Sequence, residues 1–244
     1  MASTSITSPT LALGASFLIS GYLTYRCWLP PNPHPSADTN LPTNPLPKDK
    51  IAMSSKAVQI RRLTGLCLWI AHAAVTLFYP APPTLLCPNS NNLSSSLFTW
   101  TPYSAAVVAA IMLAAPIRLL AFKHLGENFT FRLAKPKRLV TTGLYAYVQH
   151  PSYPTNWILM AANIAMLLRL DGVLGCVLPA WVVRFGMGGT GIGPWTVVLV
   201  IFSMLGAVGV WIRVKDEEAM LKKEFGKDWE EYHWRTGRFI PGVF

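Results

Sequence analysis

Charge is what this sequence has least of. Asp, Glu, Lys and Arg make up 13% of its 244 residues, where a soluble domain carries about a quarter. With 52% hydrophobic residues and a mean hydropathy of +0.35, the shortfall argues against a soluble domain and for a membrane protein. Acidic residues are scarcer still, 11 against 21 basic ones, for a net charge of +10. Such a balance can signal nucleic-acid binding, but no basic and aromatic platform is present. Lys and Arg instead stand between apolar runs, where they orient a membrane protein. Cysteine is sparse as well. Cys27, Cys67, Cys87 and Cys176 form no CxxC and no Cys/His cluster, so no metal site is expected. Cys67 lies inside an apolar run and reads as packing. Residues 1–10 carry no positive charge, unlike the start of a secretory signal peptide. The first apolar run therefore reads as a signal anchor with its N-terminus outside. No internal repeat is present.

What is there is a set of apolar runs. Five can cross a bilayer, which takes about 20 mostly apolar residues as a helix: 11–29, 63–79, 102–122, 154–170 and 194–212. A sixth, 173–185, is short and contains Pro179 and Arg184; it reads as an interfacial or re-entrant helix. The expected fold is all-α: a polytopic membrane bundle of about five transmembrane helices, a short interfacial or re-entrant helix, and a cytosolic C-terminal helix.

The basic residues alternate with these runs. Before residue 26 there are none. Arg26, Lys48, Lys50, Lys56, Arg61 and Arg62 follow the first run. Residues 63–117 have none. Arg118, Lys123, Arg132, Lys135, Lys137 and Arg138 follow the third, only Arg169 and Arg184 lie in 154–194, and seven basic residues fill 213–244. By the positive-inside rule the three basic regions are cytosolic and the N-terminus lies on the far side. The loop 30–50 is proline-rich and reads as an irregular linker, with His34 solvated. His72, within a span, reads as a packing residue. The sequon Asn92-Leu93-Ser94 falls on the lumenal side and Asn128-Phe129-Thr130 on the cytosolic side, out of reach of glycosylation.

Two unusual segments share the cytosolic side. One is KPKRLVTTGLYAYVQHPSYP after the third run. In it Gly143 permits a turn, Pro151 biases His150 toward an extended backbone, and Pro154 suits a first helical turn. This stiff entry would fix His150 and Tyr153; a plain interfacial belt of Tyr145, Tyr147 and Tyr153 is the competing reading. The other is WIRVKDEEAMLKKEFGKDWEEYHWRTGRFIPGVF. Arg213 and Glu217 lie four apart and share a helix face, either as a site or as a surface ion pair. Leu221, Phe225 and Trp229 fall at i, i+4 and i+8, an apolar stripe on one helix. His233 reads as interfacial. The helical hairpin 154–212 lets these two segments meet.

LVTTGLYAYVQHPSY, two membrane segments, then RVKDEEAMLKKEFG and TGRFIPG together resemble the isoprenylcysteine carboxyl methyltransferases. The resemblance covers roughly residues 123–244 and divides the chain into N-terminal spans, 1–122 with the cytosolic loop 30–62, and a membrane-embedded catalytic region, 123–244. It implies a cytosolic S-adenosylmethionine pocket closed by the C-terminal segment, methyl transfer to the C-terminal carboxylate of a prenylated cysteine, and an endoplasmic-reticulum address. It implies that Lys137, Arg138, Leu139, Val140 and Tyr145 line the cofactor pocket. His150, Pro151, Ser152, Tyr153 and Glu217 would hold the cofactor, with Glu218 in place of Glu217 if the register shifts by one, and Arg213 would face the substrate as the catalytic residue.

The chain departs from the family pattern twice. Gln149 stands where Arg often precedes the HPSY motif, and 170–194 lengthens the hairpin. A carboxylate of pKa near 4 is ionised at neutral pH, so the reaction needs no base, only alignment and exclusion of water. A polar donor from the cytosol and a lipid-anchored acceptor from the bilayer both reach a site at the interface. A phospholipid N-methyltransferase, a membrane sterol reductase and an inactive membrane scaffold are the other readings.

Overall fold

The computed structural model describes residues 7–32, 55–129, 136–188 and 192–243. His34, Lys48, Lys50, Arg132, Lys135, Thr130 of the second sequon and most of the proline-rich loop lie outside them. Among the described residues the fold is helical, with two isolated β-bridges and no strand.

Helices occupy each apolar run: α1 (Ser8–Cys27), α2 (Ser55–Phe78), the single turn α3 (Ser95–Phe98), α4 (Pro102–Leu125), α5 (Ser152–Leu167), α6 (Ala180–Met187), α7 (Pro194–Phe225) and α8 (Lys227–Arg235). Their ends follow local chemistry. Pro9, Pro102 and Pro194 sit in first turns, where a missing N–H costs nothing. Thr101 and Ser104 cap α4 reciprocally. Pro179 starts α6 rather than interrupting it, so the short sixth run is a two-turn helix preceded by a 3₁₀ turn at Val173–Cys176.

By length and composition α4 with its extension (Pro102–Asn128) and α7 (Pro194–Phe225) are long and apolar enough to cross a membrane. The core forms where α1 packs on α2 and α4, and α5 on α4, burying Leu13, Phe17, Trp69, Ile111, Leu159 and Met166. Gly21 makes the α1–α2 approach possible: a Cβ there would lie 2.6 Å from Trp69 Cβ. Trp69 Nε1 donates to Asn163 Oδ1 at 2.8 Å, and Asn163 Nδ2 donates to Thr24 Oγ1 at 3.2 Å, tying α2, α5 and α1 together. His72 packs as expected, stacked on Phe98 and edge-on to Phe17. Cys67 does not: it is exposed, because α2 turns its other face to α1.

The connections sort to two ends of the bundle. At one end Cys87 and Cys176 form a disulfide. Beside it Asn92 Nδ2 donates to the carbonyls of Gly175 and Leu178 at 3.0 and 2.9 Å, and Ser94 N to Asp171 O at 2.9 Å. Trp100 Nε1 reaches Pro9 O at 3.0 Å, which brings the start of α1 to the same end. The lengthened hairpin is thus a clasp with the 79–101 loop. At the other end Asn32 Nδ2 donates to Gly126 O and Phe129 O, and the two unusual segments meet.

The C-terminal stripe requires a correction. Gly226 adopts φ +52°, a conformation glycine reaches without penalty, and it ends α7 after Phe225. Trp229 therefore lies on α8, buried, and the stripe does not continue along one helix.

Candidate active site

Gly143 adopts φ +64° and lies so close to His124 that a Cβ would sit 2.5 Å from its Nδ1. His124 Nδ1 accepts from Leu144 N at 3.0 Å, and the chain turns over the end of α4. Tyr145 is buried, and Tyr232 Oη on α8 donates to its carbonyl at 2.7 Å. Burial, with the Glu217 carboxylate nearby, pushes the Tyr145 phenol well above its ordinary range; burial does the same to Tyr232. Both stay neutral.

The motif then runs beside the C-terminal tail. Val148 bridges Gly237, Gln149 N donates to Gly237 O at 2.9 Å, and His150 N to Arg238 O at 3.0 Å. Gln149 Nε2 donates to Thr236 O at 2.6 Å and to His233 O at 3.1 Å. Its Oε1 lies 2.8 Å from His233 Nδ1. Burial pushes the His233 pKa down, so the imidazole is neutral and donates through Nδ1–H. The residue that departs from the family pattern fastens the tail to the motif, and His233, given no role from sequence, is its partner.

The two glutamates separate. Glu218 is buried and holds the tail: Arg238 Nε pairs with its Oε1, Lys215 Nζ lies 3.4 Å from Oε2, and His150 Nε2 stands 3.6 Å from Oε1, an ion-pair distance rather than a hydrogen bond. Glu217 turns inward. Tyr153 Oη donates to its Oε2 at 2.6 Å, and Arg213 Nε points at the same hydroxyl from 3.4 Å. One unbroken helix carries Arg213 and Glu217 on the inner face, as their four-residue spacing predicts.

These groups open on a cavity of about 950 Å³. Its lining draws on α2, α5 and α7. Its lining includes Arg138, Leu139, Val140, Tyr145, His150, Ser152, Tyr153, Arg213 and Glu217, drawn from segments about sixty residues apart. Two sequence-predicted residues are not in that lining. The Lys137 ammonium pairs with Glu127 at 2.8 Å on the surface, and Pro151 stays in the backbone of the turn at φ −64°. The deep part is apolar, with Leu68, Met160, Ile164, Phe202 and Leu205. The mouth is cationic: Arg61, Arg118, Arg138 and Arg213 face one lining acid, Glu217.

Arg118 was missed as a site residue. Its position at the end of an apolar run marked it only as a loop cation. It is 6% exposed and binds the start of α5, with Nη1 2.7 Å from both Ser152 O and Ser152 Oγ and Nε 3.1 Å from Cys27 O. No signal in the sequence points to that contact, which depends on how α1, α4 and α5 converge.

Comparison with known proteins fits this arrangement. Residues 106–187 match the model of the isoprenylcysteine carboxyl methyltransferase family. The chain is similar to a protein-S-isoprenylcysteine O-methyltransferase of Dictyostelium discoideum, 28% identical over 131 residues, covering 52% of this chain and 44% of that protein. It is also similar to one of Schizosaccharomyces pombe (strain 972 / ATCC 24843), 26% identical over 148 residues, covering 59% and 52%. The chain spans about half the length of these curated relatives. By that match the stretch that holds most of α4, the HPSY turn and α5 is similar to the isoprenylcysteine carboxyl methyltransferase family.

Proposed function

We propose that this protein methylates the C-terminal carboxylate of a prenylated cysteine, using S-adenosylmethionine, at the cytosolic face of the endoplasmic-reticulum membrane. One observation carries the reading: a single cavity joins a mouth of four arginines and one carboxylate to an apolar floor. An acceptor that is an anion on a lipid chain matches both ends. An amine acceptor, as in a phospholipid N-methyltransferase, must first lose a proton and gains less from a guanidinium that grips a carboxylate.

The residues also suit the donor. Glu217 is the lining carboxylate for its ammonium or ribose hydroxyls, and Leu139, Val140 and Tyr145 offer an apolar wall for a purine. S-adenosylmethionine, when bound, supplies the methyl group as a sulfonium. The chain's own residues position and shield. Tyr153 bridges Glu217 and Arg213, fixing one against the other. Arg213 can orient an ionised carboxylate through two N–H donors. His150, Gln149 and the tail close the site to water, which would blunt a carboxylate nucleophile. No proton need be removed, so no base is required.

The same reading makes α1, α2, α4, α5 and α7 five spans, with the disulfide clasp lumenal. An oxidising compartment at that end suits Cys87–Cys176, and the opposite, basic end suits the cytosol.

The test supplies purified protein in lipid with radiolabelled-methyl S-adenosylmethionine and N-acetyl-S-farnesylcysteine, and counts base-labile methyl ester. Ester formation that falls at least about a hundredfold in Arg213→Ala is expected from losing a charged, bidentate contact. Donor binding without ester would overturn the acceptor assignment, and an N-methylated lipid product would replace it.

A further inference from the structure

Resting on that reading, we infer that Arg118 is a carboxylate-binding cation in the wall of this cavity. Its guanidinium is almost wholly buried, yet no described acid pairs with it. Its contacts are neutral: the Cys27 carbonyl, the Ser152 carbonyl and hydroxyl, and the face of Phe122 at 4.9 Å. Those bonds use Nε and Nη1; among the described residues Nη2 has no acceptor. A buried charge without a counter-ion is costly, and arginine cannot shed its proton to escape that cost. Holding two carbonyls and a hydroxyl needs donors but no charge, so neutral Gln could serve there. The charge is explained if the cavity receives an anion beside it, and Arg118 lines that cavity. Nε holds the carbonyl at the end of α1 and Nη1 the first turn of α5, which fixes the guanidinium plane and presets Nη2 for a planar acceptor.

A carboxylate can reach it from two sources, the methionyl end of the donor or the C-terminus of the acceptor. Calorimetry on the protein in lipid separates them. One arm compares S-adenosylhomocysteine with its decarboxylated analogue; the other compares N-acetyl-S-farnesylcysteine with its carboxamide. In wild type, removing the carboxylate that Arg118 holds is expected to weaken binding about tenfold or more, the effect of a charged hydrogen bond. In Arg118→Gln that gap closes in one arm and persists in the other, and the closing arm names the source. Arg118→Lys, which keeps the charge but loses the fork, narrows the same gap and stands in if the Gln variant does not fold. Gaps of wild-type size in both arms of a variant that melts like wild type would overturn the inference. So would a wild type that binds both parent ligands with no gap in either arm. A wild type that binds neither parent ligand would instead sink the proposed function, and this inference with it.

Discussion

The apolar floor of the cavity leads to a test of acceptor length. Gly206 on α7 faces Met160 on α5, and a Cβ at 206 would lie 2.0 Å from Met160 Cε. Carbon atoms rest about 3.5–4.0 Å apart, so Gly206→Ala must drive the thioether end aside by about 1.5–2 Å. The methionine is flexible and the cavity is the open space beside it. Gly206 precedes Arg213 by seven residues, and Met160 follows Tyr153 by seven. At about 1.5 Å per residue both lie about 10 Å below the polar mouth. Ile164, Leu168 and Phe202 line the cavity deeper still. A displaced Met160 would therefore obstruct the far part of a prenyl chain and leave the reacting end untouched. Each methylene-sized group denied burial costs about 0.8 kcal/mol, so losing one isoprene unit costs up to about 4 kcal/mol. Gly206→Ala should raise KM steeply for a geranylgeranyl cysteine, less for farnesyl, and hardly at all for geranyl, with kcat retained. Adding Met160→Ala should restore the long chain. Methyl transfer measured across the three chain lengths decides it. An equal loss on all three, or no recovery in the double variant, would refute the placement of the lipid in this cleft.

Other consequences can be checked directly. Tyr153→Phe removes the hydroxyl shared by Glu217 and Arg213; a fall in kcat/KM of about 10–100-fold is expected from hydrogen bonds to charged groups, with the melting temperature little changed. Cys87→Ser opens a crosslink between residues 89 apart in sequence; chain entropy puts the loss at up to about 4–5 kcal/mol, read as a lower Tm with methyl transfer retained at low temperature. His233 has a folded pKa below its ordinary value of 6.5. Below pH 6.5 the released tail takes up a proton that the docked tail does not, so docking weakens as pH falls through 6.5 and levels off below the folded pKa. Hydrogen-exchange protection at 232–238, corrected for the pH dependence of intrinsic exchange, should fall over that window in wild type, and the fall should vanish in His233→Gln.

Much of this was legible from the chain, for reasons that can be named. Helix positions were readable because bilayer-length apolar runs bounded by proline and basic residues have few other ways to fold. The convergence of the 137–153 segment with Arg213 and Glu217 was readable because a helical hairpin returns to its starting side, and four-residue spacing fixes a shared face. Lys137 went astray because sequence order cannot say which way an exposed side chain turns, and Glu127 holds it outside. Arg118, the Cys87–Cys176 pair and the His233–Gln149 contact stayed hidden for a common reason. Each joins residues 34 to 91 apart through the packing of three or more elements, and no local periodicity records such packing. The stripe through Trp229 failed for a different reason: the period was right, but Gly226 ended the helix beneath it.

Gln149 bears on whether the site is functional or a relic. A residue that has merely lost a cation would leave a buried amide with unmet donors or acceptors, each costing about 1–3 kcal/mol. Gln149 is 7% exposed, yet Nε2 reaches two carbonyls and Oε1 reaches the His233 ring. Arginine has no acceptor for His233 Nδ1–H, so restoring Arg here would break that contact. The tail meanwhile brings Arg238 to Glu218, next to His150. The substitution and its surroundings thus form one consistent hydrogen-bonded set, which a decaying site would have no reason to retain. That consistency favours an enzyme whose tail is fastened through Gln149 over a scaffold that has shed its chemistry.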